Sequence, residues 1–316
     1  MMANKRSSCI QKRLPSSFSF RYKIMKLLVL GSSGQLGSCL RDQKFNYDHE
    51  YIFFNREHIN IRNLDNVKKK ITEIKPNFII NFIAYTAVDK AEDDSENANY
   101  LNNIFVKEIS KIVSEINCVL IHLSTDYVFE GSTCVPYKED SETNPINIYG
   151  KTKRLGELAV QQYCDKYFIL RTSWVFSEHG NNFLKTMINL GKEKSEINVI
   201  SDQIGCPTYG QDIVKVILEI IDQHNINNAS WGIYNYTGKE KVSWYEFAKR
   251  IFEINRIINT SYKSPKIKES FTKDSKYRAL RPTYSMLDND KILRTWRVKQ
   301  SNLDKSIETV LKKLKI

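Results

Sequence analysis

Residues 25–30, Met-Lys-Leu-Leu-Val-Leu, form an apolar run that passes without a spacer into Gly31-Ser-Ser-Gly34-Gln-Leu-Gly37. A short run without polar alternation reads as a strand covered on both faces, the habit of parallel sheets flanked by helices. The order is strand, glycine loop, helix. Two glycines alone would make only a turn. In this order Gly31 permits the tight turn and Gly34 lets backbone approach a pyrophosphate. A helix opening at Gln35 and Leu36 offers unpaired N–H groups to phosphate oxygens. The junction points to dinucleotide binding.

The alternation continues down the chain. A strand at Tyr51–Phe54 is followed by helical spacing over Leu64–Ile74, and Pro76 punctuates before the buried strand Asn77–Ala84. A long helix over Ala98–Ile116, a strand over Val119–Leu123, a helix carrying Tyr149 and a strand over Phe168–Thr172 follow. This series specifies an α/β fold with a doubly wound parallel sheet. After Trp174 the pattern loosens, with helices at Gln211–Asp222, Ser243–Ile254 and Leu303–Leu314 and strands near Val199 and Tyr234. The expected organisation is a basic extension over 1–24, a mainly dinucleotide-binding domain over 25–173, and a mainly substrate-binding lobe over 174–316. Some segments of that lobe return to the sheet.

Composition narrows the function classes. With 41% hydrophobic and 27% charged residues the chain is an ordinary globular one, and no apolar run approaches the roughly 20 residues of a membrane span. The net charge of +12 suggests nucleic acid only until its distribution is read. Lys5, Arg6, Lys12, Arg13, Arg21 and Lys23 precede Met25 without one acidic residue, and no nucleic-acid motif follows. That Ser-rich stretch suits an organelle transit peptide or a disordered tail, with Met25 as an alternative functional start. The six cysteines fall singly, as in a reducing, cytoplasmic compartment. Five scattered histidines and the lack of a G-x-S-x-G elbow leave no metal centre and no hydrolase triad to place.

The chemistry centres on Tyr149 and Lys153, four residues apart and so on one helix face. Tyr-x-x-x-Lys also arises by accident on amphipathic helices, but here it follows a glycine loop and a strand ending in Ser124-Thr125-Asp126-Tyr127. Reducing a carbonyl takes hydride to carbon and a proton to oxygen. Tyr149 would supply the proton, and a nearby Lys153 charge would bring its pKa of about 10 toward the working range. Lys153 can also bind the nicotinamide ribose. Thr125 would hydrogen-bond the same carbonyl oxygen. Tyr85 and Thr86 follow the carboxyl end of the third strand, beside the cofactor. Asn55-Arg56 ends the second strand, where a carboxylate would favour NAD. The amide, with Arg56 to pair a 2′-phosphate, favours NADPH, although an exposed arginine there has no need of a ligand.

Several stretches resemble the extended short-chain dehydrogenase/reductases, and more narrowly the dTDP-4-dehydrorhamnose reductase family. They are GSSGQLG (31–37), TAVDKAE (86–92), LSTDYVFEG (123–131), YGKTKRLGE (149–157), RTSWVF (171–176), GNNFLKTM (180–187), DQIGCPTYGQD (202–212) and RPTYSMLDNDK (281–291). The resemblance implies cofactor contacts at Gly31, Gly34, Gln35, Leu36, Asn60, Ile61, Ala84, Tyr85 and Thr86, with Thr125, Tyr149 and Lys153 as the catalytic set. Asp126, Tyr127, Trp174 and Asn182 match substrate positions. Asn60 stands where the family has an acid near the adenine. The implied reaction is reduction of a dTDP-linked 4-ketosugar by NADPH or NADH. A UDP-linked substrate, or a non-catalytic role like that of the methionine adenosyltransferase β subunit, stays open. The resemblance also allows a homodimer and Mg2+, for which no acidic cluster supplies a place.

Overall fold

The computed structural model describes residues 24–224 and 230–315; the basic extension therefore lies outside the described residues except for Ile24. Five strands in chain order, β1 (Lys26–Leu30), β2 (Glu50–Phe54), β3 (Phe78–Asn81), β4 (Val119–Thr125) and β5 (Tyr167–Thr172), join a sixth at Gly232–Asn235 in one sheet. Every pairing is parallel and the order is sixth-β5-β4-β3-β1-β2. The chain winds outward from β1 on both sides, so the β1/β3 boundary is the switch point where such folds open a crevice.

Burial accounts for the apolar runs. Leu27 to Leu30, Phe78 to Ile80 and Val119 to Ile121 are buried between two layers. One face packs on the helices Gln35–Gln43 and Gly210–Gln223, the other on Leu64–Ile74 and Phe105–Glu115. A third core unites the helices Phe183–Glu193, Trp244–Ile258 and Leu303–Lys313 beyond the carboxyl edge of the sheet. The later half thus lends the sheet one strand and two helices, Gly210–Gln223 and Asp290–Thr295, and builds a separate apolar cluster from the three helices just named.

Two elements differ from the sequence reading. The strand expected to reach Ala84 stops at Asn81, because the Asn81 side chain takes the Ile83 N–H at 3.0 Å and ends the ladder. The long helix is divided into Ser95–Asn99, a π-helical turn at Tyr100–Ile104 and Phe105–Glu115. That turn carries Asn102, fully buried, which accepts from Tyr85 N–H at 2.8 Å and donates to Tyr85 O and Thr152 Oγ1 at 3.1 Å each. Asn102 thereby fastens the loop after β3 to the Tyr149 helix; a π-turn in such a place is a recurrent feature of functional sites. Among the described residues no helix is long and apolar enough to cross a membrane.

Candidate active site

Gly31 adopts φ 77°, and a Cβ there would lie 2.9 Å from Ile83 N, so only glycine permits this turn against the loop after β3. Gly34 N-caps the Gln35–Gln43 helix without a side-chain cap, leaving the first helical N–H groups open toward the crevice. A Cβ at Gly37 would meet Ser32 backbone at 2.6 Å, so this glycine lets the helix close onto the loop. A cavity of about 720 Å³ runs from this loop past Arg56, Asn60, Ile61, Ala84, Tyr85 and Thr86. A glycine cradle, a free helix N-terminus and an elongated crevice fit a dinucleotide.

A second cavity of about 470 Å³ adjoins it, sharing Gly34, Phe82, Ala84 and Thr86. Gln35, Leu36, Thr125, Asp126, Tyr127, Tyr149, Lys153 and Trp174 line it. Thr125 ends β4, and Tyr149 opens the helix Ile148–Tyr163, which Asn147 caps by accepting from Gly150 N–H at 2.8 Å. A Cβ at Gly150 would fall 2.1 Å from Tyr127 O, so glycine lets the helix seat against the β4 end. Below, Glu157 and Arg171 pair bidentately at 2.8 Å and tie that helix to β5.

Electrostatics refine the expected roles. Burial pushes the Tyr149 hydroxyl up to about 12, with a hydrogen bond to Thr125 acting the other way. Lys153 does not bring it down here, because its Nζ donates to Leu123 O and lies 3.3 Å from His122 Nε2. Burial brings Lys153 itself down to about 8, against the pull of Glu157. Thr125 Oγ1 donates to Asp126 Oδ1 at 2.9 Å and accepts from Tyr127 N–H at 3.2 Å, so its proton must turn to reach a substrate oxygen. Asp126 is 1% exposed and burial raises it to about 6, with Ser285 and Thr125 opposing. Its Oδ2 has no partner among the described residues, an acceptor suited to a sugar hydroxyl.

Trp174 holds φ 47° and stacks on Trp244 with ring centroids 3.4 Å apart. A Cβ on Gly205 would strike the Trp174 indole at 2.5 Å, so the ring is clasped from both sides. Tyr127 meets Tyr149 edge to face at 5.6 Å. Asn182 is spent elsewhere: it caps the Phe183–Glu193 helix, accepting from Lys185 N–H at 3.2 Å and donating to Ser177 O at 2.8 Å. Its neighbour Asn181 lines the cavity instead. Asn60 Oδ1 already accepts from Arg62 N–H at 3.1 Å.

Sequence reasoning did not single out Arg62, Asn102, His122, Asn181 or Trp244. Arg62 lies over the Tyr100 ring at 4.5 Å in the larger cavity. Magnesium finds no support. Asp42, Glu178 and His179 come together, but Asp42 faces His179 at 2.7 Å and Gln211 at 2.8 Å, while Lys313 takes Glu178 at 2.5 Å. An imidazole and an ammonium do not fit the octahedral oxygen shell that Mg2+ demands.

The family described as RmlD substrate binding domain matches residues 25–316. The dTDP-4-dehydrorhamnose reductase of Aggregatibacter actinomycetemcomitans is 37% identical over 287 residues, 90% of this chain and 98% of that protein. The chain belongs to the dTDP-4-dehydrorhamnose reductase family. The family's structures repeat the fold: that of a Clostridium acetobutylicum dTDP-4-dehydrorhamnose reductase superposes with a TM-score of 0.85 at 36% identity, covering 92% of this chain and all of that one. The Bacillus anthracis reductase, solved in complex with NADP, gives 0.84 at 33% identity over the same shares.

Proposed function

We propose that the protein reduces the C4 ketone of dTDP-4-dehydro-β-L-rhamnose to dTDP-L-rhamnose with NADPH. The observation that carries this reading is the convergence of Thr125, Tyr149 and Lys153 on a cavity that opens into the Gly31 crevice. A bound nicotinamide supplies the hydride. The chain supplies the rest: Tyr149 gives its proton to the ketone oxygen, Thr125 turns its hydroxyl onto that oxygen, and Lys153, in its ammonium form and turned from Leu123 O toward the ring, stabilises the phenolate left behind. Asp126 orients the sugar through a hydroxyl contact, and Trp174, clasped between Trp244 and Gly205, borders it along the edge of its indole. Arg56, exposed on the rim of the larger cavity, favours NADPH over NADH by pairing a 2′-phosphate.

NADPH oxidation with the dTDP-linked and the UDP-linked 4-keto-6-deoxysugars, with product analysis, tests the proposal. Turnover of the dTDP substrate to the C4 alcohol is expected. Preference for the UDP substrate would reassign the nucleotide, and turnover of neither would favour the non-catalytic role.

A further inference from the structure

Beneath the proposed reduction site lies a line of buried polar groups that the mechanism above does not use. Asn81 on β3 and His122 on β4 are register partners in the sheet, and both are almost fully buried. Asn81 Oδ1 accepts from Ile83 N–H at 3.0 Å, which fixes the amide: its NH2 must face His122 Nδ1, at 3.1 Å. An amide NH2 only donates, so Nδ1 must accept, and a neutral imidazole then carries its proton on Nε2. Nε2 lies 3.3 Å from Lys153 Nζ, which itself donates to Leu123 O. The hydrogen bonds run one way, from Ile83 N–H through Asn81 and His122 to Lys153. A lysine can end such a line only by accepting, and only the amine has a lone pair to do so. Protonating Lys153 sets an ammonium against an N–H, and relieving that clash costs a hydrogen bond at His122, Asn81 or Ile83.

We propose that His122 is a positioning residue for Lys153: held by Asn81 as the Nε2–H tautomer, it donates to the lysine nitrogen and favours the amine over the ammonium. Among the described residues, Glu157 on its own helix acts on the Lys153 charge, and Tyr149 and Asp126 line the same cavity; the Glu157 charge is taken up by Arg171 and by Arg154 at 3.0 Å. Burial keeps His122 well below its ordinary value, so the neutral ring is its resting form. The consequence is a lysine whose two protonation states interconvert near neutral pH, able to return a proton to Tyr149 after each reduction. This last step rests on the reading of Tyr149 and Lys153 as the reduction pair; the tautomer does not.

The test uses the full chain without substrate or coenzyme, so its outcome is independent of whether the protein turns over. In protein labelled with 15N histidine, the two ring nitrogens of His122 report the tautomer, assigned by their loss in His122→Gln. A neutral ring with its proton on Nε2 across pH 6–8 is expected. A proton on Nδ1, or a charged ring, would overturn the proposal. A second reading follows the 13Cε shift of Lys153 through a pH titration. Asn81→Asp should draw the histidine proton to Nδ1 and move the lysine midpoint up by at least one pH unit, a tenfold change in its proton affinity. In His122→Gln the amide oxygen can accept from Asn81 and its NH2 can donate to Lys153, so the midpoint should stay within half a unit of the wild type. An Asn81→Asp protein with an unmoved tautomer and midpoint would refute the relay.

Discussion

Replacing Glu157 by glutamine removes one charge from the most buried ion pair of the site and leaves its geometry nearly intact. Glu157 and Arg171 are 0% and 1% exposed, and their two hydrogen bonds of 2.8 Å are the direct tie between the Tyr149 helix and β5. Glutamine keeps one acceptor and presents an NH2 to a guanidinium that only donates, so Arg171 retains its carbonyl contact to Glu139 O at 3.1 Å and loses its counter-charge. Breaking a buried pair costs about 3–5 kcal/mol, much of it the uncompensated charge left behind. At about 2–4 °C of Tm per kcal/mol, the scale for domains of 150–250 residues, Glu157→Gln should melt about 6–20 °C lower at pH 7. Burial alone would raise the Glu157 carboxyl, yet Arg171, Ser124 and Arg154 together hold it below its ordinary value of 4.5. A depressed folded pKa stabilises above the unfolded value and loses that contribution as pH falls through the folded one. The gap between variant and wild type should therefore be full at pH 7 and shrink below pH 4.5. Scanning calorimetry from pH 3 to 8 measures it; a variant within 2 °C of wild type at pH 7 would show that the pair does not hold the helix.

Two further predictions address ligands. Arg56→Ala should lower the NADPH-over-NADH preference in kcat/KM without changing Tm, and an unchanged preference in paired assays would remove Arg56 from the 2′-phosphate. Asp126 has its carboxyl raised to about 6, so its charged form destabilises the fold as pH rises from 3.8 through 6. Asp126→Asn should accordingly melt higher than wild type at pH 8, converge with it below pH 4, and raise KM for the sugar nucleotide. A lower melting point at pH 8 would refute the burial argument.

The parts of this molecule legible in the sequence are those where one residue type does one local job. The uninterrupted apolar strands, the Gly31 turn and the Tyr149–Lys153 spacing are of this kind. The π-turn at Tyr100–Ile104 escaped because one inserted residue barely disturbs an apolar periodicity. Asn182 was open to a better reading, since an asparagine just before Phe-Leu is also a helix-start signal. Other features depend on partners far away in the chain. Trp244 meets Trp174 across seventy residues, and Lys153 turns to His122 because a buried amine takes the nearest carbonyl and ring nitrogen. Distances, which spacing does not encode, decided these roles.

The central claim is that Tyr149 delivers the proton in a reduction carried out at this site. Its most direct test is the turnover number of Tyr149→Phe with NADPH and the dTDP-linked 4-ketosugar, beside the coenzyme Kd of the same variant. The account predicts a fall in kcat on the order of 10² to 10⁴, the usual contribution of a placed general acid, with coenzyme affinity within about twofold of wild type. A variant turning over at the wild-type rate would contradict it.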